Sequence, residues 1–173
     1  MFEFTTAIVI VMPHEVQAVA APIVRQYAPE TLIRVRPHIT LLFPFVPYDQ
    51  LETACKTLRD VAQQIAPFTV TLDGYGEFPG VIYMKPADPA PIQAVFRQLY
   101  AAFPEYPPYE GQFGDDLQPH MSIAHFESAA DQAAVSLPNY RPITFHVDRL
   151  HLWYGVSDPD LAWLTYDVIR LRG

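Results

Sequence analysis

The chain has 173 residues, half of them apolar and 17% charged, enough to bury the core of one globular domain or of two small joined lobes. Its net charge of -8 at pH 7, with a pI near 5.0, excludes a broad basic footprint for duplex or long single-stranded nucleic acid, though not a small anion in a local pocket. A single cysteine, Cys55, excludes an internal disulfide framework and a cysteine-based metal site.

Taken in chain order, the first element is the apolar run Ala7 to Met12. No basic residue precedes it and it is too short to span a bilayer, so it reads as a buried strand. A cytoplasmic chain with no membrane partner is the expectation. Val16, Val19, Ala20, Ile23, Val24 and Tyr27 then recur at helical spacing, with Pro22 predicting a kink or a split. The stretch RPHITLLFPF follows, and His38 to Phe45 reads as a strand. Two polar residues, His38 and Thr40, stand inside its apolar run. Leu51, Ala54, Cys55, Leu58, Val61 and Ile65 line one face of a second helix, with Asp49 placed to cap it.

Phe68 to Gly76 alternates as a strand should, and Val81 to Lys85 is a further strand. The spacing of Ile92, Val95, Phe96, Leu99 and Phe103 predicts a helix, with Asp88 as cap and Pro89 in its first turn. After a loop-like stretch, PEYPPYEGQFGDD, comes PHMSIAHF, read as a strand over His120 to Phe126. A short helix near Ser128 to Ser136 and strands over Ile143 to Tyr154 and Trp163 to Arg170 complete the chain.

The two halves share an order: strand, helix, a strand opening on Pro-His, helix, strand. PHITLLF in the first half matches PHMSIAHF in the second, about 80 residues later. Matched order with matched polar pairs implies an internal duplication, with lobes of roughly 1–78 and 79–173 inside one domain and strands open to exchange between them. An approximate twofold axis would set His38 and His120 on either side of one groove.

Side chains at i and i+2 of a strand share a face, so His38 falls with Thr40 and His120 with Ser122. Two imidazoles and two hydroxyls on one surface suit cleavage of a phosphodiester without metal. A neutral imidazole takes a proton from the attacking oxygen, while a protonated one gives a proton to the leaving oxygen. With an unperturbed pKa of about 6.5, histidine serves in either role. The hydroxyls would hold the non-bridging oxygens as charge develops.

PHITL and PHMSI, repeated in matched contexts, resemble the paired H-x-T/S-x motifs of the two-histidine (2H) phosphoesterase superfamily, which includes the 2'-5' RNA ligase-like proteins and cyclic phosphodiesterases. The resemblance implies an α+β, bilobal fold of two antiparallel sheets with helices on their outer faces and a central groove. It further implies metal-independent, cofactor-free chemistry on 2',3'-cyclic phosphates or 2',5' linkages, in either the hydrolytic or the ligating direction. By match to the motif, His38 and His120 are the acid and base, and Thr40 and Ser122 hold the phosphate. The expected partner is a small nucleotide or an RNA terminus, bound by a monomer.

Around that core, Arg36 would aim into the groove as a phosphate clamp if strand geometry held through Pro37; a surface arginine is the plainer reading. Phe43 and Phe45, which follow the first motif, could stack a base or fill the core. Tyr83, Tyr106 and Tyr109 are alternatives for the stacking role. His120 with His125, and His146 with His151, are five apart and fall on opposite faces of a regular strand, so no metal chelate is expected. Phosphate-loop, dinucleotide-binding and nucleophile-elbow glycine motifs are absent. The rival reading is a non-catalytic module that holds a nucleotide or RNA end in the same groove.

Overall fold

The computed structural model describes residues 4–112, 116–156 and 161–173. The strands are β1 (Phe4–Val11), β2 (His38–Leu42), β3 (Phe68–Phe78), β4 (Val81–Pro86), β5 (Met121–His125), β6 (Ile143–Val147), β7 (Arg149–Val156) and β8 (Leu164–Arg170). They form two antiparallel sheets, ordered β2-β1-β7-β8 and β5-β4-β3-β6. Both have the same plan: a histidine-bearing strand at the edge, then the opening strand of its half, then a strand from the other half of the chain. β3 thus pairs with β4, and β7 pairs with β1.

The helices are α1 (His14–Tyr27), α2 (Pro29–Arg34), α3 (Leu51–Ala62), α4 (Ala90–Ala102) and α5 (Ala129–Ala133). Each of the three long ones buries the face that its spacing marks: Val16, Ala20, Ile23 and Val24 on α1; Leu51, Ala54, Cys55, Leu58 and Ala62 on α3; Ile92, Val95, Phe96 and Leu99 on α4. α1 packs on β5, α4 on β2 and α3 on β8, so the helix-side faces of both sheets share one continuous apolar core. Leu58, 1% exposed, is typical of it, and truncation to Ala should cost about 2 to 5 kcal/mol.

Strand alternation then decides what faces the opposite side. Ile39 and Leu41 of β2 join the main core, whereas His38 pairs with Val11 and Thr40 with Val9 on the other face. That face carries a second, smaller apolar cluster of Ala7, Val9 and Trp153.

Several elements differ from their sequence expectation. α1 runs unbroken through Pro22, and Val19 on it is exposed. Asp49 does not cap α3, because a 3-10 turn over Tyr48–Gln50 comes first and Gln50 takes the cap position without a side-chain hydrogen bond. Asp88 does accept the Ala90 N–H at 2.9 Å ahead of α4. The strand expected over His38 to Phe45 stops at Leu42, with a cis Phe43–Pro44 bond just beyond. The single strand expected over Ile143 to Tyr154 is two strands, broken at Asp148 and belonging to different sheets. The sequence expectation has no counterpart to α2. Among the described residues no helix is long and apolar enough to cross a membrane.

Candidate active site

β2 and β5 are the edge strands of their sheets and contact one another, which brings the two histidines to one place. His38 is the first residue of β2, and His120 immediately precedes β5. The Nδ1 of His38 lies 2.8 Å from the carbonyl oxygen of Arg36, and the Nδ1 of His120 lies 2.8 Å from that of Gln118. A carbonyl can only accept, so Nδ1 carries the proton in both neutral rings and Nε2 is left unprotonated. The same i-2 contact on both sides follows from the shared X-Pro-His sequence: proline has no N–H to compete, and the chain turns just before the strand begins.

Burial pushes the His38 pKa down to about 4; the Arg36 carbonyl opposes this, and the nearby His120, a like charge when protonated, adds to it. Burial also lowers the pKa of His120, against the pull of the Gln118 carbonyl. Both imidazoles are therefore neutral at pH 7 in the free protein. An anion between them favours the charged form and would restore a proton to one ring.

Thr40 and Ser122, each half-buried, follow their histidines on the same faces. Thr40 shares a hydrogen bond with the side chain of Tyr109, whose phenol is held above its ordinary pKa by burial. Tyr109 belongs to a tight turn, Pro108–Gly111, and its amide N–H donates to the Phe43 carbonyl. Three successive residues there, Tyr109 (φ 50°), Glu110 (φ 55°) and Gly111 (φ 78°), lie in the left-handed region. Two of them are not glycine, a conformation that costs on the order of 1 to 3 kcal/mol each and persists only where surrounding contacts impose it. Here it delivers a tyrosine to Thr40.

A cavity of about 590 Å³ opens beside His120, lined by Phe78, Pro108, Tyr109, Leu117 and Gln118. A larger one, about 860 Å³, lies on the other side of Tyr109 against Phe43, Tyr48 and Tyr106. It touches neither histidine. The smaller cavity, flanked by an imidazole, is the better candidate for a substrate.

Of the remaining expected residues, Tyr83 lies at the site, its ring centroid 5.3 Å from His120 and 4.6 Å from Phe78. It leans over Gly76, where an added Cβ would come within 2.4 Å of the ring, so a larger residue there would push the ring from this position. Phe43 is half-buried and packs between Tyr109 (6.1 Å) and Trp163 (5.9 Å). Phe45 is 4% exposed and edge-on to Phe103 at 4.8 Å, so it packs in the core and offers no face to a base. Arg36 is exposed; it donates to Thr165 Oγ1 at 3.0 Å, and its Cζ lies 5.6 Å from the Trp153 ring centroid. Tyr106 bonds Gln50 and packs on Phe45, away from the histidines. Residues 113–115 of the loop stretch lie outside the described residues.

Three groups escaped the sequence reading: Phe78, edge-on to His120 at 5.1 Å; Trp153, edge-on to His38 at 4.9 Å; and His151, on the same face of β7 as Trp153. Reading 143–154 as one strand hid the last two. No group of three His, Cys, Asp or Glu side chains placed to hold a metal occurs among the described residues.

Comparison with known proteins bears on the family and the fold. A provisionally named phosphoesterase of Bacillus cytotoxicus is 30% identical over 155 residues, covering 85% of each chain. TT0787 of Thermus thermophilus superposes with a TM-score of 0.69 at 19% identity over 98% of each chain. E. coli LigT in complex with 3'-AMP gives a TM-score of 0.69 at 18% identity over 99% of each. These two structural likenesses bear on the fold. With the 2'-5' RNA ligase superfamily profile matching residues 12–159, most of its length, the chain belongs to that superfamily of two-histidine phosphoesterases.

Proposed function

We propose that this enzyme cleaves 2',3'-cyclic phosphates or 2',5'-phosphodiester links of nucleotides or RNA ends, with His38 and His120 as its acid–base pair. The observation that carries the reading is the matched pair of Nδ1-to-carbonyl contacts, to Arg36 and Gln118, which leaves two equivalent Nε2 atoms to exchange protons. Thr40 and Ser122 are assigned to the non-bridging oxygens, where a positioned donor is worth most as charge accumulates. Tyr109 holds the Thr40 side chain in place.

The lowered pKa values add a step. The enzyme meets its substrate with both rings neutral, and the phosphate anion raises the affinity of one of them for a proton, so binding assembles the acid. Attack then transfers the nucleophile's proton to the neutral ring as the charged ring protonates the leaving oxygen. No metal is assigned a part. The LigT complex with 3'-AMP is consistent with a groove of this fold taking a small nucleotide.

The test is a panel of 2',3'-cyclic nucleotides and 2',5'-linked dinucleotides incubated with EDTA throughout. Turnover that survives chelation and vanishes in the double variant His38→Ala, His120→Ala is expected. Equal turnover in parent and double variant would overturn the assignment, and nucleotide binding without product from any substrate would favour a binding module.

A further inference from the structure

The β1–β7–β8 side of the groove holds polar groups that proton transfer does not use. His151 pairs with Val9, which pairs with Thr40, so the three lie in one row across the sheet. Trp153, two residues on, points to the same face and is 2% exposed. Neither His151 Nδ1 nor Trp153 Nε1, both buried, finds a hydrogen-bond partner among the described residues. A buried polar atom left unpaired is costly, and two on one face beside a cation mark a place where a partner is missing.

That cation is Arg36. Its guanidinium lies over Trp153 and donates one bond to Thr165, and its charge adds to burial in lowering the pKa of His151. Among the described residues Thr165 is the one side chain that accepts from it, and a guanidinium carries five N–H donors. Trp153 also abuts His38, so the guanidinium and the imidazole both lie against one indole, with 4.9 Å between the Trp153 and His38 ring centroids and 5.6 Å from the Trp153 centroid to Arg36 Cζ. A nucleotide with phosphates at both its 5' and its 3' position could meet both groups. Around His120 the neighbours are instead the uncharged rings Phe78 and Tyr83.

We propose that Arg36, His151, Trp153 and Thr165 form a second anion subsite, on one side of the groove only, that takes the 5'-phosphate of the nucleotide whose 2',3' end lies between the histidines. The proposal rests on the assignment of the histidine pair above and deepens it. The substrate class becomes 5'-phosphorylated nucleotides and RNA 3' ends, in preference to bare nucleoside cyclic phosphates. The base then falls toward Phe78 and Tyr83, which fixes the direction in which a substrate lies in a groove whose two motifs are otherwise alike.

Two non-reacting probes test it: adenosine 3'-monophosphate and adenosine 3',5'-bisphosphate, titrated by calorimetry at fixed ionic strength. The parent should bind the bisphosphate at least about tenfold more tightly, the contribution of one charge-assisted contact. Arg36→Gln and His151→Gln should bring the ratio close to one, and Arg36→Lys should recover part of it. Lys85→Gln, altering a cation of the opposite sheet, should leave the ratio in place. Equal affinities in the parent, which needs no variant to interpret, overturn the subsite, as does a ratio that persists in Arg36→Gln or is lost only in Lys85→Gln. Hydrolysis of cyclic nucleotides with no preference for the bisphosphate would sink this proposal and leave the histidine assignment standing. Selective bisphosphate binding without hydrolysis would do the reverse, and binding of neither probe would remove both.

Discussion

The two histidines have the same sequence around them and the same carbonyl behind them, yet the rows of side chains beside them differ. In one sheet the row is Thr40, Val9, His151; in the other it is Ser122, Tyr83, Gly76. On the first, a small residue on the central strand leaves room for a large polar one on the third strand. On the second, a large aromatic on the central strand lies over a glycine on the third. Bulk is conserved along the row while its chemistry is redistributed. The two histidine motifs are alike in both halves, and the side chains in the rows beside them differ.

That comparison predicts symmetry where protons move. His38→Ala and His120→Ala should each lower turnover by about 10²- to 10⁴-fold, the range for one general acid or base, and the double variant should fall little further because the pair acts as a unit. Rate measurements on the cyclic substrate under EDTA check this; a loss confined to one histidine would break the likeness. Next in size come the hydroxyls. Thr40→Val and Ser122→Ala should cost about 10- to 10³-fold in kcat if they hold charge that develops only in the transition state. Ser122→Thr should retain most activity, since the two motifs already differ in that way.

Tyr83→Ala sharpens the divergent side, with KM for base-bearing substrates rising about tenfold, the order expected for one stacked base, and kcat changing less. The smallest effect concerns stability. His38 and His151 have folded-state pKa values near 4 against 6.5 when unfolded, so the unfolded chain binds protons more readily between those values. Their contribution to stability is complete above pH 6.5 and is lost as pH falls toward 4. The loss is at most about 3 kcal/mol for the half-buried His38 and is smaller for His151, which water partly screens. Unfolding midpoints across that window should depend less on pH in His38→Asn and, by a smaller margin, in His151→Asn.

Much of this was legible in the sequence because local periodicity carried it. The faces of α3 and α4 and the His-x-Thr/Ser pairs needed only the strand and helix repeats. What escaped depends on contacts that spacing does not encode. Asp148 looks like one more residue in an alternating run, but the chain changes sheets there, so the five-residue offset between His146 and His151 says nothing about their relative faces. Phe45 stands seven residues after His38, an odd offset that already points away from the His38 face, and although the strand ends three residues before it the side chain lies in the core. Tyr109 reaches Thr40 through left-handed backbone at Tyr109 and Glu110, which neither residue signals on its own. Asp49 lost the cap because a 3-10 turn took its place.

The proposed proton exchange between two half-buried imidazoles through Nε2 is tested most directly by the pH dependence of kcat/KM for a 2',3'-cyclic nucleotide in EDTA. With His38 at about 4 and His120 below its ordinary 6.5, the profile should be a bell with its maximum on the acid side of neutrality, and each single His-to-Ala variant should lose one limb. A profile that is flat across that range, or one whose two limbs survive in both variants, would contradict the assignment.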